Sequence, residues 1–283
     1  MSVDREVIDE AYRNAEAACA AAGVSVRLAD PRDIGAVIGL FERTWGEGRS
    51  PDRSMLLALD YAGNTVLIAM TADTGAEKPV GATLGFLGWS EGIHLHSHMA
   101  AVVPWRRSGG VGYALKLFQR AVCLEQGVTE MRWTFDPLIR RNAHFNLVKL
   151  GVEVVRFLPN FYGPLDDVIN AGDRSDRFEV RWQLESDRVH RAMAGKPLRD
   201  WAVERRLALN VDYEQLRADD PESAAAMREQ SRTVFSSAME RGLRPELDAA
   251  NDYIFTSDPP DPASAASQNA PRTAAANTTS APE

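Results

Sequence analysis

The chain has 283 residues, 45% of them hydrophobic and 25% charged, the composition of a soluble globular protein with no need of disulfide staples. Its net charge of −8 argues against a general nucleic-acid binder, which needs a positive surface. No apolar run is long enough to span a membrane, the charged start from Asp4 to Glu10 does not read as a signal peptide, and Cys19 and Cys123 cannot build a disulfide framework, so a reduced, cytoplasmic protein is expected.

In chain order, residues 4–22 read as an Ala-rich helix ended by Gly23, and Val24 to Leu28 alternates like a strand. Asp30-Pro31 opens an amphipathic helix through Ile34, Val37, Ile38 and Phe41, and Ser54 to Ala62 reads as a short second helix. Asn64 to Ala69 is a strand, Asp73 to Lys78 a turn and Val80 to Trp89 the hairpin partner. Ile93 to Val103 is the next strand, followed by a helix over Gly109–Glu125 with Val111, Ala114, Leu115, Phe118 and Val122 on one face. Glu130 to Phe135, Val152 to Leu158 and Asp176 to Leu184 read as strands, with a helix over Arg141–Leu150. This order predicts a mixed α/β sheet. Beyond Ser186 the pattern turns to charged helical stretches around Trp201 and from Arg217 to Arg241, then the apolar piece Tyr253-Ile254-Phe255. Ser257 to Glu283 has no large apolar residue and five prolines, the composition of a disordered tail.

One stretch carries most of the chemical information. A strand runs into Pro104, and Arg107-Ser108-Gly109-Gly110-Val111-Gly112 leads directly into a helix. Glycines let backbone N–H groups approach a ligand, and the helix start adds unpaired donors and a positive dipole end. Together they form a cradle for a pyrophosphate. A Walker loop would need Gly-Lys-Ser/Thr, and the dinucleotide pattern fails at Leu115. The segment 101–160 carries a net +5 while the remainder of the chain carries −13, a distribution suited to a small polyanion rather than a polymer.

Arg107-x-x-Gly110-x-Gly112 after an apolar strand resembles the acyl-CoA-binding motif of the GNAT superfamily of N-acyltransferases. Asn142 to Gly151, ending in Lys-Leu-Gly, resembles the second CoA-contacting helix of that superfamily. HLHSHM, WTFDPL, RNAHFNL, LPNFYG and INAG-x-x-SDRF resemble a subgroup of predicted GNAT acetyltransferases, and the similarity spans about residues 20–256. The resemblance implies a mixed, mostly antiparallel twisted sheet flanked by helices, with a helical C-terminal extension. It divides the chain into an N-terminal helix (1–23), the acyltransferase domain (24–186), a mostly helical extension (187–256) and the tail (257–283). It implies acetyl-CoA or another acyl-CoA as co-substrate, with no metal. The backbone of Arg107, Ser108, Gly109, Gly110, Val111 and Gly112 would hold the pyrophosphate. Val102 and Val103 would pair with the pantetheine arm, the amide near Ala100 would polarise the thioester carbonyl, and Asn142 would touch the pantetheine or the phosphates. The acceptor would be a small-molecule amine or amino acid, with acetyl or succinyl as the transferred group, no nucleic acid or membrane as partner, and a homodimer allowed.

Direct attack on a thioester requires an uncharged amine and a neutralised thiolate. His94, His96 and His98 alternate on one strand face, and His96 falls where many superfamily members place a general-base carboxylate, with His98 as runner-up. The position where the superfamily often carries a proton-donating tyrosine is Leu147 here, which leaves His144 and Tyr162, a water, or direct release of thiolate as alternatives. Asp136 either binds a substrate amine or starts a turn before Pro137. A non-catalytic acyl-CoA sensor and a His-rich metal-dependent hydrolase are the competing functions.

Overall fold

The computed structural model describes residues 3–71, 77–163, 173–196, 198–209 and 212–260. Asp4 accepts the Glu6 amide at 2.9 Å to start α1 (Arg5–Ala22), and Gly23 ends it in the left-handed region at φ 62°. β1 (Val24–Leu28), β2 (Thr65–Thr71), β3 (Pro79–Gly88) and β4 (His94–Val102) pair antiparallel in succession, with α2 (Ile34–Trp45) and α3 (Arg53–Tyr61) between the first two. The turn expected over Asp73–Lys78 lies mostly in residues 72–76, outside the described residues. From β4 the chain crosses through α4 (Val111–Glu125) to β5 (Glu130–Phe135), and a helical crossover makes these two strands parallel. α5 (Arg140–Ala143) widens into a π-type turn over His144–Leu150, and β6 (Glu153–Leu158) and β7 (Arg177–Gln183) complete a seven-stranded sheet ordered β1-β2-β3-β4-β5-β7-β6. This is the mixed, mostly antiparallel sheet that the resemblance implies.

The C-terminal region carries the helices expected there and a small sheet beside them. It holds α6 (Asp187–Met193), α7 (Tyr213–Asp219) and α8 (Pro221–Glu240), but also a separate antiparallel sheet of β8 (Arg205–Leu207), β9 (Arg244–Leu247) and β10 (Tyr253–Thr256) in the order β8-β10-β9. Strands of three or four residues are too short to print an alternating pattern on the sequence. The segment around Trp201 is not helical; its indole lies against the guanidinium groups of Arg188, Arg199 and Arg244.

This region shares its core with the main sheet. Phe235 of α8 and Tyr253 of β10 pack on Phe178 of β7 with ring centroids 4.7 and 5.7 Å away, and the Tyr253 hydroxyl donates to the Pro137 carbonyl at 2.9 Å. Each of these buried rings is worth roughly 1.5–3 kcal/mol by removal from water. Arg228 of α8 donates to both carboxylate oxygens of Asp136 at 2.8 and 2.7 Å and to Asp173 at 2.7 Å. Of the tail expected to be disordered, residues 261–283 lie outside the described residues, while the Asp258 carboxylate accepts the Ala202 amide at 2.9 Å. Among the described residues, no helix is long and apolar enough to cross a membrane.

Candidate active site

The parallel junction in the middle of the sheet creates the site. β4 and β5 pair only at Leu95↔Met131 and His96↔Arg132 and then diverge. The β3–β4 register explains why: Leu84 pairs with Met99 and Gly85 with Ser97, so His98 is an extra residue in β4. A bulge of this kind bends and twists its strand, which carries the end of β4 away from β5. An alternating sequence does not reveal it.

The cleft has two distinct sides. Ser97 and Trp133, the first residue of each strand beyond the last pair, face α4, because the Lys116 ammonium of that helix touches both. His96 and Phe86 face the opposite side with rings 5.3 Å apart, and His98 joins them at 5.7 Å from Phe86. Backbone groups on a strand alternate in direction. The Val103 amide bonds the Val80 carbonyl at 3.0 Å, which leaves the N–H groups of Ala100 and Val102 directed at the open cleft. Val103 itself does not fit the role expected for it, since its carbonyl is also taken, by the Arg106 amide at 3.0 Å.

The glycine loop opens beyond β4. Arg107 and Gly109 spend their amides on the carbonyls of Pro104 and Arg106 at 3.2 and 3.1 Å, so those two N–H groups are unavailable to a ligand. The amides of Ser108, Gly110, Val111 and Gly112 have no partner among the described residues, and they converge on the start of the 15-residue α4. Gly110 caps that helix at φ 84°, where a side chain would be strained and its Cβ would lie 3.3 Å from that of Ala22. A Cβ on Gly112 would meet only a Val102 methyl at 3.9 Å, so its absence keeps ligand space open rather than relieving a clash.

The positive segment is largely consumed by the fold. Arg120 donates to the Leu184 carbonyl at 2.9 and 2.7 Å, Arg132 pairs with Glu130 at 2.5 Å, and Arg156 pairs with Glu179 at 2.5 Å. Arg140 and Arg141 reach the C-terminal region, at the Leu209 and Ala250 carbonyls and at Glu214. Arg106, Arg107 and Lys149 are the cations of this segment with no acceptor among the described residues, and two of them flank the glycine loop. The charge excess therefore marks the loop through two residues, not nine.

The three histidines separate. His94 is buried with Nδ1 at 2.9 Å from the Gly92 carbonyl, and its ring fills the space over Gly88, which makes it structural. Burial, with His98 and His94 adding repulsion, pushes the His96 imidazole down to about 4, and burial also lowers His98. Both are therefore neutral and able to accept a proton at neutral pH. The more exposed His98 opens onto a groove of about 490 Å³ whose other walls are Met55 and Leu59 of α3 with Pro51, Leu84 and Phe86. The groove's one carboxylate, Asp52, is occupied in capping α3 through the Met55 amide at 2.9 Å. A larger hollow of about 720 Å³ at Arg27–Asp33 lies by the edge strand β1, with its charges paired to one another.

The remaining candidates are divided between cleft and scaffold. The Tyr162 hydroxyl lies 3.2 Å from Thr134, which shares the Arg132 face of β5, so Tyr162 stands on the histidine side of the cleft. His144 instead bonds Asn251 at 2.6 Å, tied to the turn between β9 and β10. Asn142 gives its carbonyl to Asn146 at 2.8 Å and keeps its side-chain amide without a partner among the described residues. Asp136 does start a turn, accepting the Leu138 amide at 2.9 Å, and its charge is matched by Arg228. The Leu147 side chain is buried in the core. Among the described residues no cluster of three or more His, Cys, Asp or Glu is gathered as a metal site. The sequence reading missed Lys116, an ordinary-looking member of the α4 pattern.

No protein-family model and no curated protein matches the chain. Several solved structures are similar to it. Arabidopsis thaliana Naa50 in complex with the bisubstrate analogue CoA-Ac-MVNAL is 20% identical, with a TM-score of 0.45 over 56% of this chain and 97% of that one. The structure of yncA from Salmonella typhimurium with acetyl-CoA is 17% identical, with a TM-score of 0.45 over 58% of this chain and 95% of that one. The chain is likewise similar to an acetyltransferase of the GNAT family from Streptococcus pneumoniae, at 11% identity and a TM-score of 0.45 over 56% of this chain and 97% of the other.

Proposed function

We propose that this chain is a CoA-dependent N-acyltransferase that moves an acetyl or succinyl group onto the amine of a small molecule by direct attack. The observation that carries the reading is the cleft where β4 and β5 part after His96↔Arg132 and which leads into the glycine loop at the start of α4. An extended arm with amide groups fits between separated strands, where the Ala100 and Val102 backbone offers it unpaired partners. A pyrophosphate fits the free amides of Ser108, Gly110, Val111 and Gly112, with Arg106 and Arg107 beside it. The Ala100 N–H would stabilise negative charge on the thioester oxygen.

The acceptor approaches from the opposite side, over Phe86 and the two imidazoles. His98 lines the groove and takes the amine's proton, with His96 at 5.9 Å behind it. This reverses the order suggested by strand position, because the deeper His96 is the weaker base. The walls from Met55, Leu59, Leu84 and Phe86 favour an amine that carries an apolar group. Thiol release should be measured with acetyl-CoA and succinyl-CoA against a panel of alkyl and aryl amines and amino acids. Release that depends on an apolar amine supports the reading. Tight CoA binding with no release for any amine favours a sensor instead.

A further inference from the structure

Cleavage of a thioester leaves a thiolate, whose departure a positioned cation or proton donor speeds. Among the described residues one lysine is buried, and its position is specific. Lys116 of α4 is 6% exposed, and its Nζ donates to Ser97 Oγ at 2.7 Å and lies 3.8 Å from the centre of the Trp133 ring. Ser97 and Trp133 are the residues at which β4 and β5 cease to pair. The ammonium thus stands in the fork between the strands, on the side opposite the histidines.

Its surroundings do not look like those of a structural ion pair. Among the described residues no carboxylate lies within salt-bridge distance of it. Ser97 passes its own proton on to Gln119 at 2.9 Å, and Gln119 donates to Thr65 at 2.8 Å, so Ser97 can only accept from Lys116. Trp133 is held by its indole N–H on Asn146 at 3.0 Å, which fixes the ring under the cation. Among the described residues, two of the three ammonium protons have no oxygen acceptor. The titratable groups facing it are Cys123 on its own helix and His96 across β4, and neither supplies a counter-charge. A buried cation without a counter-ion is costly to fold around, and a methionine there would pack with the same shape.

We infer that Lys116 is the proton donor to the departing thiol of coenzyme A in the transfer proposed above. The inference rests on that reading of the cleft. As the amine nitrogen bonds the carbonyl carbon, the carbon–sulfur bond breaks and its electron pair goes to sulfur. Lys116 Nζ gives sulfur a proton, the amine's surplus proton goes to His98, and solvent restores both groups. Burial holds the ammonium down to about 7, so the proton is easily given up near neutral pH.

The test uses the full chain, labelled with nitrogen-15 at lysine Nζ, with coenzyme A and desulfo-coenzyme A, which lacks the sulfur. Binding of both is measured by calorimetry, and the Lys116 Nζ titration is followed in each complex. The coenzyme A complex should hold the Lys116 proton to a pH about one unit higher than the desulfo complex, a tenfold difference in proton affinity. Lys116→Met should bind desulfo-coenzyme A as wild type does and lower kcat by about 10²–10⁴-fold. It should also abolish the fall in wild-type kcat as pH rises past about 7. Equal Lys116 titrations in the two complexes, or a Lys116→Met variant with unchanged kcat and pH profile, would overturn the assignment while leaving the CoA site standing. Failure of wild type to bind either nucleotide overturns the site and this inference together.

Discussion

In the proposed transfer, two imidazoles on one side of the fork and one ammonium on the other would divide the proton traffic between separate residues. Each is shifted by burial in the direction its task needs, the histidine toward neutrality and the lysine toward release. His98→Ala should lower kcat by about 10²–10⁴-fold, the usual cost of losing a general base, with coenzyme A affinity unchanged. His96→Ala should cost less. Steady-state rates with a saturating amine decide between them, and a larger loss at His96 would return the base to that position. In the wild type, burial holds the His98 imidazole below its ordinary value, so activity should rise with pH on the acid side of the usual histidine range, since the active form is the unprotonated one. The histidines and glycines were legible as residues. The bulge at His98 and the burial of Lys116 were not, because a bulge leaves the alternation of HLHSHM intact and a lysine in an amphipathic helix normally reads as solvated.

At the scale of elements, the parts local in sequence were readable and the parts that depend on distant packing were not. α1, α4 and the strands of the main sheet announced themselves by periodicity and by Gly23 and Gly110 at helix ends. β8, β9 and β10 did not, since each has at most four residues and forms only by pairing with the others. Gly151 shows how a motif residue acquires its reason from elsewhere. Its φ of 69° ends the π-type turn, and a Cβ there would come within 2.9 Å of Ala192 in α6 and 3.0 Å of the Arg188 carbonyl. Arg140 and Arg141, which belong to the basic segment, and Asp136, which starts a turn, fasten the C-terminal region to the sheet. Arg228→Ala should therefore destabilise the protein by about 3–5 kcal/mol, because it strands Asp136 and Asp173 without their main counter-charge. Urea unfolding monitored by tryptophan fluorescence measures this. A change below about 1 kcal/mol would mean that the aromatic contacts alone hold α8 in place.

For the molecule as a whole, one strand junction organises everything else. The bulge separates β4 from β5, the crossover helix brings amides to the open end, and in the proposed transfer acceptor and leaving group would lie on opposite faces of the sheet. The central claim is that the α4 end of this fork holds the pyrophosphate of coenzyme A. Gly112→Asp tests it most directly, since the added carboxylate has room, suits the start of a helix, and occupies the space of an anion. Calorimetric titration with coenzyme A should show wild-type binding weakened by at least about 100-fold, or ~2.8 kcal/mol, in Gly112→Asp, with an unchanged melting temperature. Equal affinity in the two proteins would contradict the account.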